Sequence, residues 1–159
     1  MVTQTNRYAI GYRLLVGGGV IALDQLTKWL AYTGLHRPIM VVPGWLEWVL
    51  VTNTGAAYSL LDGHRWWLVG ISLVVIVMLL RFHRWLGDTA WTKWGLVFFI
   101  SGAIGNLIDR VCHGFVIDFI QIYWIPVFNV ADMAINIGMG CLIAEWVLVY
   151  RQSSSSTSS

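Results

Sequence analysis

Charge is what this sequence has least of. Only 11% of its 159 residues are Asp, Glu, Lys or Arg, against about one quarter in an ordinary soluble domain. A soluble helical protein could hide a large core at this length, but it would need a polar outer face that long stretches here do not supply. Ten Lys and Arg against eight Asp and Glu leave a formal net charge of +2. No basic run follows a row of phosphates, so nucleic-acid binding is set aside. Cysteine is scarce too. Cys112 and Cys141 show neither CxxC spacing nor a disulfide framework, and simple packing is expected of them. The sequence also lacks an HExxH pair for a metal and a Ser set beside a His and an acid in a recognisable context.

Apolar residues take the place of charge, at 57% of the chain. They gather in four segments, about residues 14–35, 66–80, 94–111 and 128–150, where a bilayer core of ~30 Å needs ~20 residues per helix. The expected fold is therefore an all-α membrane protein with four transmembrane helices, forming a single domain over residues 1–152. The second segment is short, with fifteen residues between Arg65 and Arg81. It must gain length from snorkelling flanks or from residues 58–61, and a re-entrant segment is the alternative. Arg7 and Arg13 ahead of an apolar stretch resemble a secretory signal, but Asp24 and Lys28 interrupt that stretch. Residues 153–159 are Ser and Thr only and are expected to be disordered.

Lys and Arg concentrate on the cytoplasmic side of membrane proteins. With both termini inside, Arg7, Arg13, Arg81, Arg84, Lys93 and Arg151 are cytoplasmic, and Lys28, Arg37, Arg65 and Arg110 lie near or beyond the other face, six against four. Most of the ten Trp fall near segment ends, where an amphipathic ring prefers the interface. Residues 36–57 change character: Ile39 to Val42 and Trp45 to Thr52 are β-branched and aromatic around Pro43-Gly44. This pattern predicts a small extracytoplasmic antiparallel sheet. Ile122 to Trp124, in the loop before the last span, is a further candidate strand.

An ionisable residue at the centre of a span costs ~3 kcal/mol on insertion scales, so each one calls for an explanation. Asp24 and Lys28 are four apart with the acid first, which suits an ion pair on one helix face. Asn53-Thr54-Gly55 reads as a turn in which Asn53 offers both donor and acceptor. Ser101 and Gly105, four apart, would let a neighbouring helix approach closely. Asn106 and Arg110 share a face near the outer end of the third span, where an amide and a guanidinium could hold a peptide or ester carbonyl.

Asp118 sits among Val116, Ile117, Phe119 and Ile120, surroundings that raise a carboxyl pKa. Asp132 lies about one turn into the last span, at a depth that a returning Asp118 can reach. Asn129 and Asp132 also read as N-cap and N3 of a helix start, which needs no chemistry. Two acids held close share a proton, so that one activates water while the other donates to the scissile carbonyl. That is the arrangement of an aspartic protease.

With these residues laid out, the sequence resembles the lipoprotein signal peptidases (signal peptidase II), membrane aspartic proteases of bacterial lipoprotein maturation. Five blocks match in order over about residues 14–150: Asp24-Gln-x-x-Lys28, Asn53-x-Gly-Ala-Ala57, Gly105-Asn-x-x-Asp-Arg110, Val116-x-Asp-Phe119 and Phe128-Asn-x-Ala-Asp132. The resemblance implies a catalytic dyad of Asp118 and Asp132, with Asn53, Gly55, Asn106, Arg110 and Asn129 lining the site. It assigns Asp24, Lys28, Gly105, Asp109 and Ala131 to support. It also implies cleavage of diacylglyceryl-modified prolipoproteins just before the lipidated Cys, without metal or organic cofactor, in the bacterial inner membrane. Lipidated precursors and membrane lipid are the expected partners, and the chain is expected to be a monomer. Ser101 stands where the family commonly has the first Gly of Gly-Gly-Ala, and Tyr58 where Phe is common. The link between Asp118 and Asp132, only thirteen residues, is expected to be a compact loop.

Two other classes compete. A transporter or proton relay would use the same costly acids, but these sit near one end and no inverted repeat is apparent. A scaffold would use polar residues as glue between helices, which explains Asp118 least.

Overall fold

A computed structural model describes residues 4–55 and 64–156. Four long helices cross one another in up-and-down order: α1 (Gln4–Gly34), α2 (Arg65–Phe82), α3 (Ala90–Cys112) and α4 (Val130–Ser156). Each contains a stretch long and apolar enough to span a membrane. The packing is inverted relative to a soluble protein. The largest fully buried side chains are Lys28, Asn129, Thr92, Asp24 and Asp109, whereas Leu14, Leu26, Val74, Val77 and Ile143 face outward. Outward apolar side chains suit lipid, and polar ones must find partners inside.

Two boundaries depart from expectation. α1 begins ten residues before the apolar stretch does, because a packed helix propagates at little cost into residues that tolerate helical backbone. The same applies at the other end: α4 runs to Ser156, so the first part of the Ser-rich tail continues a helix instead of being disordered. The short second segment is a full helix of 18 residues, not a re-entrant one. It gains length by absorbing Arg65 and Arg81-Phe82, giving ~27 Å at 1.5 Å per residue. Residues 58–61, the other proposed source of length, lie outside the described residues.

A three-stranded antiparallel sheet packs at the end of the bundle where α1 and α3 finish: β1 (Ile39–Val42), β2 (Leu46–Asn53) and β3 (Val116–Ile122), in the order β1-β2-β3. Pro43 and Gly44 make the β1-β2 turn. Gly44 has φ 69° and Trp45 N–H donates to Val42 O over 3.0 Å, a type II arrangement that favours Gly at this position. The third strand lies earlier than expected. Val116–Ile122 pairs antiparallel with β2, and its β-branched and aromatic residues suit a strand. Tyr123 and Trp124 instead form the following turn, with Trp124 at φ 75°.

Glycine spacing sets how closely α3 meets its neighbours. A Cβ at Gly102 would run into Ala131 O, and one at Gly138 would stand 2.5 Å from Phe99 N, so α3 and α4 touch backbone to backbone. The neighbouring helix that Ser101 meets is α1, with its Oγ 2.8 Å from where a Gly17 Cβ would lie. At the opposite end, buried Glu145 of α4 accepts from Thr89 Oγ1 over 2.7 Å, tying down the α2-α3 connection.

Candidate active site

The parallel course of α1 and α3 brings Asp24, Lys28 and Asp109 to one level. Lys28 Nζ lies 2.9 Å from Asp24 Oδ2 and 3.0 Å from Asp109 Oδ2, with all three side chains about 1–2% exposed. The expected Asp24-Lys28 pair is therefore a triad that joins two helices. Its remaining lone pairs are used: Asp24 Oδ1 accepts Ala131 N–H over 2.8 Å, and Asp109 Oδ2 accepts Ile117 N–H over 3.1 Å. Gln25 adds bonds to Asp24, Asp109 and Gly105 O. Its place in the first block was visible, but nothing in the spacing showed that it would bridge to α3. Gly105 leaves room for Asp24, whose Oδ2 would stand 2.6 Å from an added Cβ.

This layer supports a second one. Lys28 Nζ also donates to Asn106 Oδ1 over 2.9 Å, and Asn106 Nδ2 donates to Asp132 Oδ1 over 2.7 Å. Asn129 stands directly before α4 and caps it, accepting Asp132 N–H on Oδ1 at 2.9 Å, while its own N–H donates to Asp132 Oδ2 at 3.2 Å. The pair is a reciprocal capping box. The capping role and a place beside Asp118 thus coexist: Asn129 Nδ2 donates to Asp118 Oδ1 over 2.6 Å.

Asp118 lies on β3 opposite Val51 of β2, so Asn53, two residues along β2, is a diagonal neighbour on the same face. Asn53 Nδ2 accordingly reaches Asp118 Oδ2 at 3.0 Å. Asn53 Oδ1 accepts Gly55 N–H at 3.1 Å, closing the predicted Asx turn, and Gly55 O accepts Arg110 Nη2 at 3.0 Å. Arg110 Nε is buried without a partner among the described residues. The thirteen-residue link folds back through an Ile120-Phe128 bridge, long enough to bring both acids to Asn129. Ala56 and Ala57, the rest of that block, lie outside the described residues.

Asp118, Asp132, Asn53, Gly55, Asn106 and Arg110 line one cleft of about 800 Å³, whose other walls include Val116, Ile125, Phe128 and Ile135. Burial of Asp118 pushes its pKa up to about 6; the Asp132 charge adds to that rise, while the bonds from Asn53 and Asn129 oppose it. Asp118 is 2% exposed, and it opens onto the cleft with Asp132. Among the described residues no three His, Cys, Asp or Glu side chains are grouped as a metal would need. Two carboxyls on one cleft, one of them inclined to keep a proton, can act as general base and general acid.

Known proteins resemble this chain in sequence and in fold. Residues 9–148 match the family model described as signal peptidase (SPase) II. A lipoprotein signal peptidase of Listeria monocytogenes serotype 4b (strain CLIP80459) is 42% identical over 135 residues, covering 80% of this chain and 88% of the relative. One of Symbiobacterium thermophilum is 36% identical over 142 residues, covering 85% and 93%. A bacterial membrane enzyme solved by the in meso method at 2.3 Å superposes with a TM-score of 0.80 at 29% identity, covering 92% of each chain. A second, solved at 1.9 Å, gives 0.76 at 30% identity, covering 85% of this chain and 92% of the other. With the match running through all four spans and the sheet between them, the chain belongs to the signal peptidase II family.

Proposed function

We propose that this peptidase removes the signal peptide from diacylglyceryl-modified prolipoproteins, cutting just before the lipidated Cys, with Asp118 and Asp132 as its catalytic dyad. The observation that carries the reading is that both carboxyls open onto one cleft and are both bonded to Asn129. A water between them loses a proton to one acid as it attacks the scissile carbonyl, and the other acid protonates the carbonyl oxygen. Collapse of the tetrahedral intermediate breaks the C–N bond and hands a proton to the leaving amine. Arg110 helps: its Nε–H, unpartnered among the described residues, is available to a substrate carbonyl.

The substrate arrives through the membrane, because two acyl chains buried at ~0.8 kcal/mol per methylene do not readily leave it. Both termini are cytoplasmic on this reading, which puts the sheet and the cleft at the extracytoplasmic face of a bacterial inner membrane. On this reading the enzyme acts as a monomer. Purified protein in lipid vesicles should cleave a lipidated precursor and leave the same precursor without lipid intact. Asp118→Asn and Asp132→Asn should each abolish that cleavage; turnover by either variant would end the dyad assignment.

A further inference from the structure

Asn136 is an exposed amide inside a membrane span that the chemistry above leaves unused. It follows Asp132 by four residues on α4, hence on the same face and about 6 Å deeper along the helix. It lines the same cleft as the two acids, between Ile135 and Ile137. Its Nδ2 donates to Asp132 O over 2.9 Å. Its Oδ1 has no partner among the described residues.

Within α4 that oxygen finds no donor. Beyond the first turn every helix N–H is committed to the carbonyl four residues back, so α4 offers no donor. Acyl chains carry none, and an unpaired carbonyl in a low-dielectric setting costs free energy. A donor from outside the protein would relieve it. A peptide cleaved between two carboxyls is extended at the reacting bond, and extended backbone in the membrane carries free N–H groups. At ~3.3 Å per residue, 6 Å corresponds to about two residues. The signal peptide is the apolar, membrane-embedded side of the substrate, so moving deeper along α4 means moving towards its N-terminus.

We infer that Asn136 is a substrate-binding residue whose Oδ1 accepts a backbone N–H of the signal peptide about two residues before the cleaved bond. This rests on the cleft being the peptidase site proposed above. The amide is held in place by its bond to Asp132 O, which orients Oδ1 away from the helix and links substrate position to the backbone of one catalytic acid.

The test uses lipidated precursors in which each of the three amides preceding the cleaved bond is replaced in turn by an ester, removing one N–H at a time. Cleavage is measured with the parent enzyme, Asn136→Ala and the volume-matched Asn136→Leu. One ester should lower kcat/KM of the parent about tenfold, the effect of ~1.4 kcal/mol. Both variants should show a similar loss on the all-amide precursor and no further loss on that ester. Esters that cost the variants as much as the parent, or no ester effect in the parent, would overturn the inference. So would variants as active as the parent on the all-amide precursor, and variants that lose equally on every precursor would show a role in packing only. A parent that cleaves none of the lipidated precursors would instead overturn the proposed function.

Discussion

The ammonium of Lys28 lies 2.9 Å from Oδ1 of Asn106, and this contact decides which way the Asn106 amide faces. The two ends of a carboxamide are alike in shape and opposite in hydrogen bonding. With Oδ1 committed to Lys28 and to Asn129 Nδ2 at 3.2 Å, only the Nδ2 end remains for Asp132. Lys28 thus orients a donor towards Asp132 without touching it.

Asn106→Leu should therefore lower activity by about 10- to 100-fold, the worth of ~1.5–3 kcal/mol for a hydrogen bond to a charged group. It leaves both Lys28 ion pairs in place but takes an acceptor from the buried Lys28 ammonium, so it should lose only about 1–3 kcal/mol of stability. Lys28→Met should lose activity and also melt much earlier, because it leaves Asp24 and Asp109 buried without their cation, at about 3–5 kcal/mol. Rates and thermal melts of the purified variants check both. Full activity in Asn106→Leu would show that the amide has no bearing on the acids.

Asn129 does two jobs that substitution can separate. Asn129→Ala should lose the helix cap, at about 1 kcal/mol, together with the 2.6 Å bond to Asp118. Asn129→Ser should recover the cap, since a serine oxygen accepts the same N–H, but its hydroxyl is too short to stand in for the amide at Asp118. Stability should return with Ser while activity stays at least tenfold down. Recovery of both together would reduce Asn129 to a cap.

The spans, the hairpin around Pro43-Gly44 and the Asp24-Lys28 pair were legible in the sequence because each depends on near neighbours. The meeting of Asp118 and Asp132 was legible only as a depth argument and as a resemblance. Asp109 shows the limit. The resemblance puts it among the supports, but no spacing in the sequence names its partner: helix geometry points adjacent residues in different directions, and Asp109 turns inward to Lys28 while Arg110 turns to the cleft. β3 was misplaced for a related reason. Its pairing depends on β2 some seventy residues away (Val51 with Asp118), which local composition around Trp124 could not report. Gln25 and Asn136 gave no periodic signal at all, since what matters about each is a partner, or its absence, across a tertiary contact.

The raised pKa of Asp118 fixes the sign of a pH effect. A carboxyl whose folded pKa is about 6 binds its proton more tightly folded than unfolded. The stability this contributes is complete below the ordinary carboxyl range and is lost as pH rises from about 4 through about 6. Two units correspond to about 3 kcal/mol. The parent should melt at a higher temperature at pH 4.5 than at pH 7.5, and Asp118→Asn, which has no proton to lose, should show a flatter dependence over that window. Identical slopes for the two proteins would rule out Asp118 as the group responsible.

Helix contacts near the site should be least tolerant where backbone meets backbone. A methyl group at Gly102 collides with Ala131 O and comes 2.9 Å from Ile135 Cγ1, one at Gly105 displaces Asp24, and one at Gly18 meets nothing within 4 Å. Gly18→Ala should be neutral or stabilise by up to ~1 kcal/mol, because alanine restricts the unfolded chain. Gly102→Ala and Gly105→Ala should each cost about 1–3 kcal/mol. Their activity should fall further than their melting temperatures suggest, because Asp24 holds Ala131 N–H and the next residue is Asp132. A shift of α4 by a few tenths of an ångström would move that acid relative to Asp118, which is held on a strand. Thermal melts and cleavage rates of the three variants, measured side by side, test this: equal behaviour at Gly18 and Gly102 would mean that α3 and α4 are not packed as closely as their glycines require.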